Sequence, residues 1–333
     1  RSLPIHFPNT LNPSYIRYDS AALRAFITNV KNTNGILVLG TSETASGTKG
    51  MRYWEIGDVA GRPVYALSGA GRSSYTWIPF LLRHRDLLKG VSIVYYSNPV
   101  YWTKKLNRFH EEYYRRYMSI NFLMSIEENG IPDKILKIHN HYTSQYLDSL
   151  MGRTLYLNQI FSDYVDMMAT SIHENYKFFL AQHFTQSPAA NYKMVIGTQD
   201  EKKYKDKFDE TLNIKKIWTG RFQSGLGPIS NGDFQENALR DFIDVADYIG
   251  SNLVVLIGPF NQRLSQKRSP YLTQKYVNVQ RNILSIMEQK KVLYIDATFL
   301  NDVHGVFKDQ MHLSDYIGHE YIYKKIHGYY END

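Results

Sequence analysis

The chain has 333 residues, a formal net charge of +7 and no cysteine. Its length suits one large α/β domain with insertions or two small domains, and the missing cysteine excludes disulfides, thiolate catalysis and Cys-ligated metals. The positive balance favours anionic partners, yet Lys104-Lys105, Arg115-Arg116 and Lys202-Lys203 are isolated pairs that read as solvated helix faces.

Hydrophobic residues make up 43% of the chain, enough for a substantial core. No zinc-finger spacing, RNP-like aromatic motif or basic heptad region is present, so nucleic acid is not expected as a partner. The 27 tyrosines suit half-apolar, half-wet surfaces such as a groove for a sugar polymer, and biased codon usage accounts for them equally well.

Five strands are expected in chain order, each a short apolar run ending at a turn signal. They are Gly35 to Gly40, Arg62 to Leu67, Val91 to Tyr96, Asn252 to Ile257 and Lys291 to Asp296. Continuous β-branched runs separated by helices indicate a mostly parallel five-stranded sheet covered on both faces. The helices show as apolar spacing over Ala21 to Val30, Ala238 to Ile249 and Tyr276 to Met287.

Residues 100–230 differ from their flanks. They are rich in Tyr, Lys, His and Met and read as mostly helical, over Phe109 to Glu127, Ser144 to Leu150 and Ile160 to His183. They are taken as a helical insertion between the third and fourth strands of a single 1–333 domain. Lys202 to Asp209 reads as a solvated face or loop, and Gly220 to Gly232 as a loop returning to the sheet.

Two distant motifs carry chemistry. Ser42 stands just past the first strand, where the C-terminal strand ends of an open α/β sheet line a crevice. There a serine is either a helix N-cap or a nucleophile whose own N–H stabilises an oxyanion. Asp309 and His312 follow the fifth strand by about a dozen residues, a spacing that brings a carboxylate and an imidazole to one side of a turn. They are either a cap and a surface histidine or the acid and base of a Ser-His-Asp triad. Other pairs are weaker. His139 and His141 have no third metal ligand at sensible spacing and read as a polar helix end. Asp302 and His304 point apart at i,i+2 on a helix. No dinucleotide loop or Walker lysine motif is present.

Gly40-Thr41-Ser42-Glu43, a glycine after the second strand, Asn98 after the third and Asp309-Gln310-Met311-His312-Leu313 together resemble the SGNH (GDSL-type) esterase and acyltransferase superfamily. Within it, the chain is most similar to the D-alanine transfer (DltD) family of teichoic-acid D-alanylation. That family shows a G-S-S-E serine turn, S-P-Q-W-F after strand three, P-V-N after strand four and a D-x-x-H-L-G-W ending. Here Thr41 replaces the usual Ser, Ser97-Asn98-Pro99-Val100-Tyr101-Trp102 and Gly258-Pro259-Phe260-Asn261 stand at the middle motifs, and Ser314-Asp315-Tyr316 follows His312-Leu313. These departures bear on the acyl group and acceptor more than on the serine chemistry.

The resemblance implies a three-layer α/β/α flavodoxin-like fold. It implies Ser42 as nucleophile, His312 as general base and acid, and Asp309 as the residue orienting it. The oxyanion hole would comprise the Ser42 N–H, the Gly69 N–H with Gly71 as rival, and the Asn98 amide, which is otherwise a turn residue before Pro99. Gly71, Trp102 and Asn261 are candidate groove residues, and Asn261 could instead complete a turn. No metal or organic cofactor is needed.

The expected activity is transfer of a D-alanyl or acetyl group to or from hydroxyls of a cell-envelope polymer, a teichoic acid or an exopolysaccharide. The expected partner is a membrane-bound O-acyltransferase. The alternatives are a non-catalytic accessory protein that binds polymer or a membrane partner, and a secreted carbohydrate O-acetylesterase. No apolar run reaches the roughly 20 residues of a membrane helix. The chain opens on Arg1, so an extracytoplasmic protein anchored by a segment upstream of it is expected.

Overall fold

The computed structural model describes residues 10–11, 21–41, 43, 52–67, 72–102, 131–148, 168, 193–207, 234–314 and 316–332. Its sheet contains β1 (Thr10–Leu11), β2 (Ile36–Leu39), β3 (Val64–Leu67), β4 (Ser92–Ser97), β5 (Asn252–Ile257) and β6 (Leu293–Asp296), in the order β1-β3-β2-β4-β5-β6. Every pairing is parallel. The five expected strands are all present, and the two-residue β1 extends the sheet beyond β3. Without β1 the order is that of a flavodoxin-like sheet, whose direction of growth reverses between β2 and β4. Ligand crevices form at that switch point, beyond the C-terminal strand ends.

The strands are apolar on both faces because both faces are covered. All four residues of β2 and all six of β4 are buried. Leu37, Leu39, Ile93, Tyr95, Val255 and Ile257 pack on one side against α1 (Ala21–Asn32), α2 (Ser74–Arg83), α6 (Phe234–Tyr248) and α8 (Pro270–Lys290). Alternate residues Ile36, Val38, Val94, Tyr96, Val254 and Leu256 face Trp54, Leu300 and α9 (Ile317–Glu331). The result is the expected three-layer α/β/α arrangement.

Of the remaining helices, α3 (Arg85–Leu88) precedes β4, α4 (Asp133–Asp148) and α5 (Glu201–Lys207) lie between β4 and β5, and α7 (Gln262–Arg268) precedes α8. The expected helices over 109–127 and 160–183 lie outside the described residues, apart from a helical Met168. One local expectation is realised and one is corrected. The charged stretch from Lys202 includes helix α5, braced by a Glu201–Lys205 ion pair at i,i+4 and by Tyr204 packed on the Tyr316 ring 4.7 Å away. His139 is not at a helix end but inside α4 and buried, and burial lowers its pKa to about 4, so it is neutral. Among the described residues no helix is long and apolar enough to cross a membrane.

Candidate active site

Parallel registry brings the strand exits to one edge of the sheet. Leu39 lies level with Tyr95, and Ser97 with Ile257. Gly40, Thr41, Glu43, Asn98 and Gly258 therefore emerge at neighbouring places. The approach of the last two is close. A side chain at Gly258 would meet the Tyr96 ring at 2.5 Å and the Ser97 carbonyl at 2.9 Å, so only glycine fits as the chain leaves β5.

Asp309 and His312 sit in a loop closed by an antiparallel bridge between Phe307 and Leu313 and by the Lys308 N–H donating to the His312 carbonyl at 3.0 Å. The three-residue spacing is realised in this bend, not in a helix. Asp309 Oδ1 accepts the N–H groups of Met311 and His312 at 2.9 and 2.8 Å, while Oδ2 stands 2.7 Å from His312 Nδ1. The carboxylate is thus oriented by the backbone and in turn orients the ring.

Burial works against charge on Asp309, but the His312 bond, the His312 charge and the two backbone N–H groups outweigh it. The carboxyl is held below its ordinary value. Burial likewise opposes protonation of His312, but the bond to Asp309, its charge and that of Glu43 outweigh the penalty, and the imidazole is raised above its ordinary value. The two side chains remain reachable from solvent, 22% exposed for His312 and 30% for Asp309.

Asn98 is buried. Its Oδ1 caps the 3-10 turn Pro99–Tyr101 by accepting the Val100 N–H at 2.8 Å. Its Nδ2 donates to Glu43 Oε1. The turn role read for Asn98 is therefore realised, and one of its amide hydrogens is taken by Glu43. Glu43 is a residue that motif reasoning left without a role. It is 2% exposed, and burial is the largest influence on it. Its carboxyl is pushed up to about 7, against the opposing pull of the His312 charge.

Ser42, Gly69 and Gly71 lie outside the described residues. The groove expectation is corrected for Trp102, and for Asn261 the turn alternative is the one realised. Trp102 is only 3% exposed and belongs to the core beside β4, since its large apolar ring is worth more there than at a wet surface. Asn261 is 1% exposed and fully engaged. It caps α7 by accepting the Leu264 N–H at 2.9 Å, and its amide donates to the Asp309 carbonyl at 3.2 Å. Its own N–H donates to the Gln310 carbonyl at 3.0 Å. Asn261 thus tethers the Asp309 loop to the exit of β5 instead of lining a groove.

Behind it, Gln280 and Asn301 pair amide to amide, with Gln280 Nε2 donating to the Gly258 carbonyl and Asn301 Oδ1 accepting the Phe260 N–H. This buried pair was not foreseen, and its only sequence trace is two amides among apolar neighbours. The rival Asp302 is instead exposed and ion-paired to Arg263 at 2.9 Å. Another histidine, His319, is buried with Nε2 2.7 Å from Arg52 Nη1. A guanidinium only donates, so His319 Nε2 accepts and the ring is neutral; burial and the Arg52 charge keep its pKa well below the ordinary value.

The loop is fixed from below by α9. A side chain at Gly318 would come within 2.2 Å of the Val306 carbonyl oxygen and 3.1 Å of Ser314 Oγ. Ser314 Oγ accepts the Gly318 N–H at 2.9 Å, and the Ser314 N–H donates to Val306 at 2.7 Å. Gly318→Ala is therefore expected to destabilise the protein by about 1–3 kcal/mol, seen as a lower midpoint of denaturant unfolding. The loop must also shift, so reactivity at the site should fall beyond the loss of folded protein.

A cavity of about 560 Å3 opens elsewhere, among Ser92, Asn252 and Leu293 at the strand starts. It is at the opposite edge from Asp309 and His312. No protein-family model and no curated protein sequence matches this chain.

Proposed function

We propose that the protein is a serine acyltransferase or esterase of the SGNH type, resembling the DltD family. The observation that carries this reading is the meeting of three segments from across the chain. Glu43, next in sequence to Ser42, is bonded to Asn98 and stands within electrostatic reach of the Asp309–His312 pair. Ser42 adjoins this cluster in sequence, and the cluster offers a base with a raised pKa and an orienting carboxylate.

In the proposed reaction Asp309 holds His312 Nδ1–H, so Nε2 takes the proton from Ser42 Oγ. The oxygen attacks an ester or thioester carbonyl and forms a new O–C bond. The Ser42 N–H, an N–H at Gly69 or Gly71 and the Asn98 amide stabilise the tetrahedral oxyanion. The intermediate collapses by breaking the bond to the leaving group, which receives the proton from His312. An acceptor hydroxyl then gives its proton to His312 and attacks the acyl-serine, and Ser42 recovers its proton as it departs. A polymer hydroxyl makes the protein a transferase; water makes it an esterase.

The reading extends to D-alanyl or acetyl groups on an anionic envelope polymer, outside the cytoplasmic membrane and alongside a membrane-bound O-acyltransferase. The net charge of +7 supports the anionic acceptor. A fluorophosphonate probe tests the nucleophile. Wild-type protein should be labelled stoichiometrically and Ser42→Ala not at all; undiminished labelling of Ser42→Ala would remove serine 42 from the mechanism.

A further inference from the structure

Glu43 is a buried carboxyl group with one oxygen on the Asn98 amide, and the other, Oε2, is buried with no well-aligned donor from any other described residue, only its own backbone N–H acting on the carboxyl. Leaving a buried carboxyl oxygen unpaired costs about 1–3 kcal/mol or more. A glutamine or an apolar residue would fill this position more cheaply if packing were its purpose. The carboxyl is also sequence-adjacent to Ser42, and its charge acts on His312 and Asp309.

We propose that Glu43 is a positioning residue of the acyl-transfer site: it aims the Asn98 carboxamide and adds a second negative charge within electrostatic reach of His312. This rests on the acyl-transfer reading above. Asn98 is held from both ends, its oxygen by Val100 N–H and its nitrogen by Glu43, so the amide plane is fixed. One amide hydrogen points to Glu43, and the direction of the other follows from the same plane. The second carboxylate acts in the same sense as Asp309, favouring the imidazolium that forms when His312 takes the serine proton.

Several other groups act on or near Glu43. His312 and Asp309 come from the 307–313 loop, Tyr53 from the 3-10 turn Tyr53–Glu55, and Tyr95 and Tyr96 from β4. Burial raises all three tyrosines above their ordinary value, so they stay neutral where His312 titrates. Arg52 acts on Tyr53 and Lys308 on His312. Glu43 and His312 consequently titrate as a coupled pair.

The test is the pH dependence of fluorophosphonate labelling. Glu43→Gln keeps an acceptor for Asn98 but removes the charge. The acid limb of its rate profile is expected to move down by roughly 0.5–1 pH unit, because a less stabilised imidazolium releases its proton at lower pH. Glu43→Ala and Asn98→Ala should each slow labelling about tenfold, and the double variant should be little slower than the worse single. An unmoved acid limb, or fully additive losses, overturns the role given to Glu43 while leaving the nucleophile reading intact. Wild-type protein that is never labelled defeats that reading, and this inference with it. If Glu43→Gln does not fold, the 15N shifts of His312 in the unaltered protein decide. Two inflections support coupling to Glu43, and a single inflection overturns it.

Discussion

His312→Ala is expected to slow serine labelling by at least roughly 10³-fold and, because the bond to Asp309 is lost, to lower the unfolding midpoint modestly where that pair is charged. The ring is the sole group at this edge, among the described residues, whose pKa is raised and whose Nδ1 is held by an aspartate. Its removal leaves any serine nucleophile with water as base. The pH profile of the wild type carries the matching sign. His312 must be neutral to accept a proton, so labelling rises with pH through a pKa above the ordinary histidine value.

The Asp309–His312 pair also links stability to pH. A raised histidine adds stability that is full below its unfolded pKa and lost as pH rises through the folded one. A depressed aspartate adds stability that is present above its unfolded pKa and lost as pH falls through the folded one. The pair therefore contributes fully between the ordinary aspartate and ordinary histidine pKa values, and its contribution is lost as pH falls through the depressed pKa of Asp309 or rises through the raised pKa of His312. In His312→Ala the loss of stability as pH rises above the ordinary histidine pKa should flatten.

Asp309→Asn is expected to cost about 10³–10⁴-fold in labelling rate, and its geometry explains why. Oδ1 already accepts two backbone N–H groups, so an asparagine would keep its oxygen there. Its amide nitrogen would then face His312 Nδ1 as a donor. The ring would have to present Nδ1 as acceptor and carry its hydrogen on Nε2, the nitrogen needed to take the serine proton. The fold would survive, because both backbone bonds remain. Loss of the carboxylate should also move the acid limb down. A variant that labels within tenfold of wild type would show that Asp309 does not set the tautomer.

Much of this arrangement was legible in the sequence. The strands of a covered parallel sheet declare themselves as short apolar runs, and Val91 to Ser97 or Asn252 to Ile257 admit few other readings. Asp309 and His312 were legible because their interaction is local. β1 was not, since Thr10 and Leu11 are too few to show a period. The helix α5 was legible only as a solvated face or loop, because seven mostly charged residues owe their order to neighbours, among them the Tyr204 contact with Tyr316.

Polar partners were the least visible. Glu43 reaches Asn98 across 55 positions, Asn261 reaches Asp309 across 48, and Asn301 reaches Phe260 across 41. No periodicity announces such contacts. They exist because buried polar groups must be satisfied once the fold has brought them together. Sequence reasoning therefore placed Trp102 in a groove and left Asn261 between groove and turn, where the fold buries Trp102 as core and uses Asn261 as a turn-completing tether.

The central claim is an acyl group carried on Ser42, and trapping that species tests it most directly. Wild-type protein incubated with an activated aryl acetate and quenched in acid should gain the mass of one acetyl group. Digestion should place it on the peptide containing Ser42, and the adduct should be absent in Ser42→Ala and His312→Ala. An acetyl group found only on other residues, or one formed equally well by Ser42→Ala, would contradict the account.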